Sequence, residues 1–193
     1  MSDQELIQGV LARQRDALEL LVARYQRKVI MTAYHLTGNM EESEDLSQDI
    51  FLEVINNLER FGQRSSLETW IYRITINRAI NLTKKNRRRD FFGMLTRLSA
   101  LKGKGAEEIK ETDMEEEDYL YNEKRNMLYH SMEKLPEKQR IAFVLTKFEE
   151  KSYKEAAAIM DVTLSSVESL VHRATVSLKK ELAPKFEQLL NEL

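Results

Sequence analysis

The chain has no cysteine. That excludes a disulfide framework and any Cys-ligated zinc site. Its 3 histidines, His35, His130 and His172, stand far apart and show no metal-ligand spacing. Only 2 prolines and 6 glycines interrupt 193 residues, and the apolar periods between them are helical throughout. An all-α protein is expected. There is no signal-peptide pattern and no run of about 18 apolar residues, so a soluble, cytosolic chain without membrane insertion is expected. There is also no excess of positive charge: charged residues make up 32%, yet the net charge is −2. A simple nucleic-acid binder is basic overall. Any DNA contact must therefore come from local patches, helped by a large partner. No nucleophile–base pair, metal cluster or phosphate-cradling glycine loop is visible. Neither an enzyme nor a cofactor is expected.

What the chain does have is a dense unit at Asp45–Arg89. It reads as two helices joined by a short polar loop. The first carries an apolar stripe at Leu46, Ile50, Phe51, Val54, Ile55 and Leu58. Asp45, Gln48 and Asp49 sit on its other side at i, i+3 and i+4, so one partner surface can meet all three. The second helix is expected to open at Ser65, with Glu68 completing a capping box. Two apolar faces follow: Leu67, Ile71 and Ile74, then Tyr72, Ile76, Ala79 and Ile80. A polar stripe of Arg73, Asn77, Lys84 and Arg88 runs between them. The helix ends in a cationic run, Lys84, Lys85, Arg87, Arg88 and Arg89. Such a run adds phosphate affinity and salt dependence rather than sequence choice. The connecting loop holds Phe61, Gly62, Gln63, Arg64, Ser65 and Ser66. Trp70, the sole tryptophan, can be core or a stacking platform.

Before this unit, short and long helices are expected over 3–13 and from Asp16 to Gly38, with Asn39 capping the next. After it, Gly103 and Gly105 break the helical pattern, and 107–118 holds eight acidic residues and one lysine. This reads as a solvated linker over 91–118. About 28 flexible residues span roughly 30 Å on average and about 95 Å at full stretch. A second globular unit is expected over 119–193. Ser152 and Glu155 form a capping box opening a helix over 153–160. Asp161–Thr163 make a turn, and Thr163 caps a helix from Leu164 to about Leu182. This is a helix-turn-helix. Its second helix offers Ser165, Ser166, Glu168, Ser169, His172 and Arg173 on one exposed face. The expected fold is thus two small helical domains joined by a flexible acidic linker, the second containing a helix-turn-helix.

The strings DLSQDIF, RFGQRSS, TWIYRI and KKNRRR occur in order, followed by LPEKQR and SVESLVHRA. Together they resemble the bacterial RNA polymerase sigma factors, in particular the extracytoplasmic-function group of the sigma-70 family. The resemblance implies a chain that binds core RNA polymerase and directs promoter recognition, melting and initiation. It implies polymerase docking on Asp45, Gln48 and Asp49. It implies capture of a base flipped from the −10 element by Phe61, Gln63, Arg64, Ser65 and Trp70, with Arg73, Asn77, Lys84, Lys85 and Arg88 contacting the same element. It implies −35 reading in the major groove by Ser165, Ser166, Glu168, Ser169, His172 and Arg173. The stretched linker covers two elements about one and a half helical turns, roughly 50 Å, apart. With no sensor segment visible, control is expected from an anti-sigma factor. Asn81 and Glu168 depart from the family pattern, which has Asp at the first and Lys or Arg at the second. Glu168 can accept from a cytosine amino group but repels phosphates, so weak autonomous DNA binding is expected from the second unit. Two other functions fit part of the pattern. A sigma-like decoy for an anti-sigma factor need not keep the loop or Trp70. An autonomous helix-turn-helix regulator has no use for the acidic docking face.

Overall fold

Ser2 opens α1 (Asp3–Leu11): its hydroxyl accepts from the Glu5 N–H, and the Glu5 carboxylate accepts from the Ser2 N–H. Such reciprocal capping is typically worth about 1 kcal/mol. The computed structural model describes the backbone of residues 1–62, 64–100 and 116–191, and among these the side chains outside 90–122 and 186–191. Helix α2 (Arg15–Thr37) lies close against α1. A Cβ on Gly9 would stand 2.6 Å from the Ala17 Cβ, so only glycine permits this approach. Gly38 ends α2 at φ 75°, its N–H bonded to the Tyr34 carbonyl. Asn39 then caps α3 (Met40–Asn57) by accepting from the Glu42 N–H. A 3-10 turn at Leu58–Arg60 leads into the loop before α4 (Leu67–Ala100).

The start of α4 differs from the sequence expectation. The capping hydroxyl belongs to Ser66, which accepts from the Thr69 N–H at 3.1 Å. Ser65 lies outside the cap. Glu68 is drawn instead to Lys28 at 2.5 Å and Lys151 at 3.1 Å. Two cations from distant segments outcompete a local backbone N–H for that carboxylate. The linker expectation is also narrowed. Helix α4 continues to Ala100, and α5 (Glu116–Glu133) resumes three residues before the expected domain start at 119. Residues 101–115, with both glycines and much of the acidic run, lie outside the described residues.

The second unit continues with α6 (Glu137–Lys147), α7 (Tyr153–Met160) and α8 (Leu164–Asn191). Among the described residues there is no strand. Ser152 and Glu155 form the expected capping box. Asp161 adopts the left-handed conformation, φ 54°, ψ 50°, that a turn without glycine requires. Thr163 accepts from the Ser166 N–H at 3.2 Å. The helix-turn-helix α7–α8 closes over Ala157, Val167, Val171 and Ala174, all buried. Helix α8 runs on through Pro184, beyond the expected end near Leu182.

The buried apolar cluster does not stop at the boundary between units. It runs from Leu6, Leu21, Ile50 and Leu67 through Ile76 to Met132, Leu145 and Val167. Helix α2 packs on α6, and α4 packs on α7. The His35 ring stacks on Phe148 at 4.5 Å, and Tyr34 meets Tyr129 at 5.1 Å. The units are docked, not merely tethered.

Candidate polymerase and nucleic-acid interfaces

Helix α3 buries Leu46, Ile50, Phe51 and Val54 against α2 and α4. That leaves Asp45, Gln48 and Asp49 exposed together on its outer side. Leu52, one further turn along the same face, is 60% exposed. The sequence reading missed it, although its i+3 spacing from Asp49 was the available signal. A large apolar side chain held in water within a polar rim suits a protein–protein contact.

The loop after α3 forms a cavity of about 390 Å³ lined by Arg60, Phe61, Gly62, Arg64, Ser65, Trp70 and Arg73. Phe61 and Trp70 pack with ring centroids 5.0 Å apart. Trp70 is half-buried, so it serves the core and lines the cavity at once. Gln63 lies outside the described residues. Arg60 was not singled out from sequence, although it directly precedes Phe61. The exposed guanidinium groups of Arg60 and Arg64 beside two aromatic rings can hold one planar, phosphate-linked group: rings stack a base, cations meet the backbone.

The α4 stripe is differently placed. Asn77, Lys84, Lys85 and Arg88 are exposed. Arg73 is half-buried and engaged: its Nε donates to the Ile159 carbonyl at 3.1 Å and its Nη2 to the Ala158 carbonyl at 2.6 Å. These carbonyls belong to the last turn of α7, whose acceptors have no partner within the helix. Arg73 therefore caps a helix of the second unit. Lys84 pairs with Glu137 at 2.7 Å. A cleft of about 410 Å³ lies between, with Arg73, Ile76 and Asn77 on one wall and Lys138, Ile141 and Met160 on the other.

On α8, Ser165, Ser166, Ser169 and Arg173 line one groove of about 380 Å³ with Lys138 and Leu170. Arg173 donates to the Ser169 hydroxyl at 2.8 Å. Glu168 and His172 are exposed but are not among that lining. Lys138, inside LPEKQR, brings a second cation that the helix-face argument could not see, because it comes from α6. Among the described residues no cluster of His, Cys, Asp or Glu could hold a metal ion, and no helix is long and apolar enough to cross a membrane.

Comparison with known proteins agrees with this layout. The chain matches the family Sigma-70 region 2 over residues 21–89 and the family Sigma-70, region 4 over residues 125–178. It is 30% identical over 182 residues to the RNA polymerase sigma-H factor of Pseudomonas aeruginosa, covering 94% of each chain. It is 31% identical over 186 residues to the ECF RNA polymerase sigma-E factor of Escherichia coli, covering 95% of this chain and 96% of the relative. The chain belongs to the sigma-70 family, the promoter-directing subunits of RNA polymerase. Within that family it is an extracytoplasmic-function sigma factor. The fold is also that of CnrH, solved in complex with the cytosolic domain of CnrY: TM-score 0.67 at 20% identity, over 94% of this chain and 97% of that one. The sigma factor RpoE of Bartonella quintana, solved with the anti-sigma factor NepR, matches at TM-score 0.56 and 20% identity, over 86% and 96%.

Proposed function

We propose that this sigma factor divides its work among three faces. The α3 face of Asp45, Gln48 and Asp49, with Leu52 at its edge, docks on core polymerase. Complementary potential there raises on-rate and fixes orientation. The cavity of Arg60, Phe61, Arg64, Ser65 and Trp70 takes an unpaired base of the −10 element, with Gln63 in the same loop. The α4 stripe of Arg73, Asn77, Lys84, Lys85 and Arg88 follows the adjoining DNA. The α8 face, helped by Lys138, reads the −35 duplex. The chain supplies binding energy for strand separation, while the polymerase performs the covalent chemistry, so the chain itself is not an enzyme. It works in the cytoplasm, under an anti-sigma factor. Two fold relatives were solved in complexes, one of them with a protein named as an anti-sigma factor.

The observation that carries this reading is the Phe61–Trp70 pair facing a cavity ringed by arginines. A flipped base costs a few kcal/mol of unstacking, and such a pocket restores stacking and bonds the base edge. Holoenzyme can be assembled with Arg64→Ala/Ser65→Ala or with Ser166→Ala/His172→Ala. The first should lose affinity for a single-stranded −10 oligonucleotide and open duplex promoters poorly. The second should lose affinity for a −35 duplex and leave the single-stranded probe untouched. Equal losses on both probes for both variants would refute the division.

A further inference from the structure

Helix α8 presents side chains in two rows, each spaced by four residues. One row, Ser165, Ser169 and Arg173, lines the groove shared with Lys138. The other is Leu164, Glu168, His172 and Val176, all four exposed. Leu164 is 49% and Val176 53% exposed, and neither packs against the apolar cluster. The Glu168 carboxylate has no hydrogen-bond or ion-pair partner among the described residues. These side chains are held in water without serving the fold.

The two rows differ in what they can tell apart. A recognition helix meets base edges with its N-terminal residues. That favours Leu164, Ser165, Glu168 and Ser169 over Val176, about three turns further on. A hydroxyl both gives and takes hydrogen bonds, so the serines accept more than one base. Ser166 and Ser169 are also bonded within the chain, to Thr163 at 2.7 Å and to Arg173 at 2.8 Å. An ionised carboxylate only accepts, and an alkyl chain does neither. In the major groove cytosine shows its N4 amino donor and guanine shows acceptors only. Adenine sets its N6 donor beside an N7 acceptor that a carboxylate repels. Thymine shows a methyl group.

We propose that Glu168 and Leu164 set the sequence of the −35 element. Glu168 selects a cytosine by accepting from its N4 amino group, and Leu164 selects a thymine by packing on its methyl. The two residues lie about 6 Å apart along the helix axis. The two bases therefore stand within about two steps of 3.4 Å. Glu168 also works by exclusion: a guanine would set O6 and N7 against the carboxylate and leave all of them unpaired. The same carboxylate is repelled by phosphates whatever the sequence. Lys138 and Arg173, beside the other row, offset that repulsion with cations that suit the backbone. The proposal rests on the assignment of α8 to the −35 duplex and adds the bases that it reads.

Selection by holoenzyme from duplexes randomised in the upstream element, at one fixed salt, tests it. The parent should enrich one cytosine and, within about two steps, one thymine. Glu168→Arg should replace that cytosine by guanine and Glu168→Gln by adenine, because Arg pairs with guanine O6 and N7 and Gln with adenine N6 and N7. Between probes differing at that base alone, the preference should change about tenfold or more, with other positions unmoved. Leu164→Ser should flatten the thymine preference alone. Both residues are exposed, so the free variants should match the parent in helical content by circular dichroism. A cytosine preference that survives both Glu168 variants would overturn the role of Glu168. A thymine preference that survives Leu164→Ser would overturn that of Leu164. An enriched upstream element without that cytosine would overturn the proposal and leave the −35 assignment of α8 standing. No enriched upstream base in the parent would overturn that assignment, and the proposal with it.

Discussion

The Phe61–Trp70 cavity and the α4 stripe are neighbours that share Arg73, yet they differ in availability. The cavity's loop arginines, Arg60 and Arg64, are exposed. Arg73 and Lys84 of the stripe are bonded to the second unit. The difference follows from local structure. The stripe lies on a long helix, and its Arg73 meets the end of α7, where unpaired carbonyls attract positive charge, while Lys84 meets the Glu137 carboxylate at the start of α6. A cationic side chain that suits a phosphate is equally suited to a helix C-terminus.

Trp70→Ala tests the open side and should have the largest effect. Base–aromatic stacking is worth about 1–3 kcal/mol, so binding of a single-stranded −10 oligonucleotide by holoenzyme should fall roughly 5- to 150-fold. An unchanged titration would remove Trp70 from the cavity's function. Asp49→Lys leaves both sides intact and isolates the docking face. Core polymerase affinity should drop about tenfold, while stability measured by urea unfolding stays within about 0.5 kcal/mol. Lys84→Ala tests the occupied side. In holoenzyme it should lower the slope of log affinity against log salt by about 0.9, one phosphate contact. A slope that does not move would mean that Lys84 serves the seam alone.

Two smaller effects sharpen the account of the second unit. Glu150→Gly relieves a left-handed residue and should stabilise the chain by about 1 kcal/mol, seen as a raised urea midpoint. Glu181 is held down to about 2 by hydrogen bonds from Lys134 and then Lys185. Its folded pKa lies below the ordinary 4.5, so its contribution is present above that value and fades as pH falls toward about 2. Glu181→Gln should therefore cost a little stability at pH 7 and clearly less at pH 2, measured by thermal unfolding at each pH.

Much of this was legible in the chain. Gly38, Asn39, Ser152 with Glu155, Asp161 and Thr163 act on backbone groups within a few residues, so local spacing specified them. The apolar periods of α3 and α4 marked their buried faces for the same reason. What escaped depends on distant partners. Glu68 reads as a capping residue until Lys28 and Lys151 are brought beside it, 40 and 83 positions away. Glu149 meets His35, 114 positions away, a pairing that no local spacing encodes. Lys138 joins the α8 groove from another helix, a juxtaposition that a single-helix pattern cannot encode. The docking of the two units is likewise a sum of such distant pairs.

The most direct test of the central claim is transcription by core polymerase, with and without this chain, from a library of randomised promoters. Transcribed templates should be enriched in two elements at one fixed spacing, about one and a half helical turns apart. Enrichment of the downstream element should be lost when Trp70 and Arg64 are replaced by Ala, and that of the upstream element when Ser166 and His172 are. Transcripts that depend on the chain but show no enriched pair, or enrichment that survives both sets of substitutions, would contradict it.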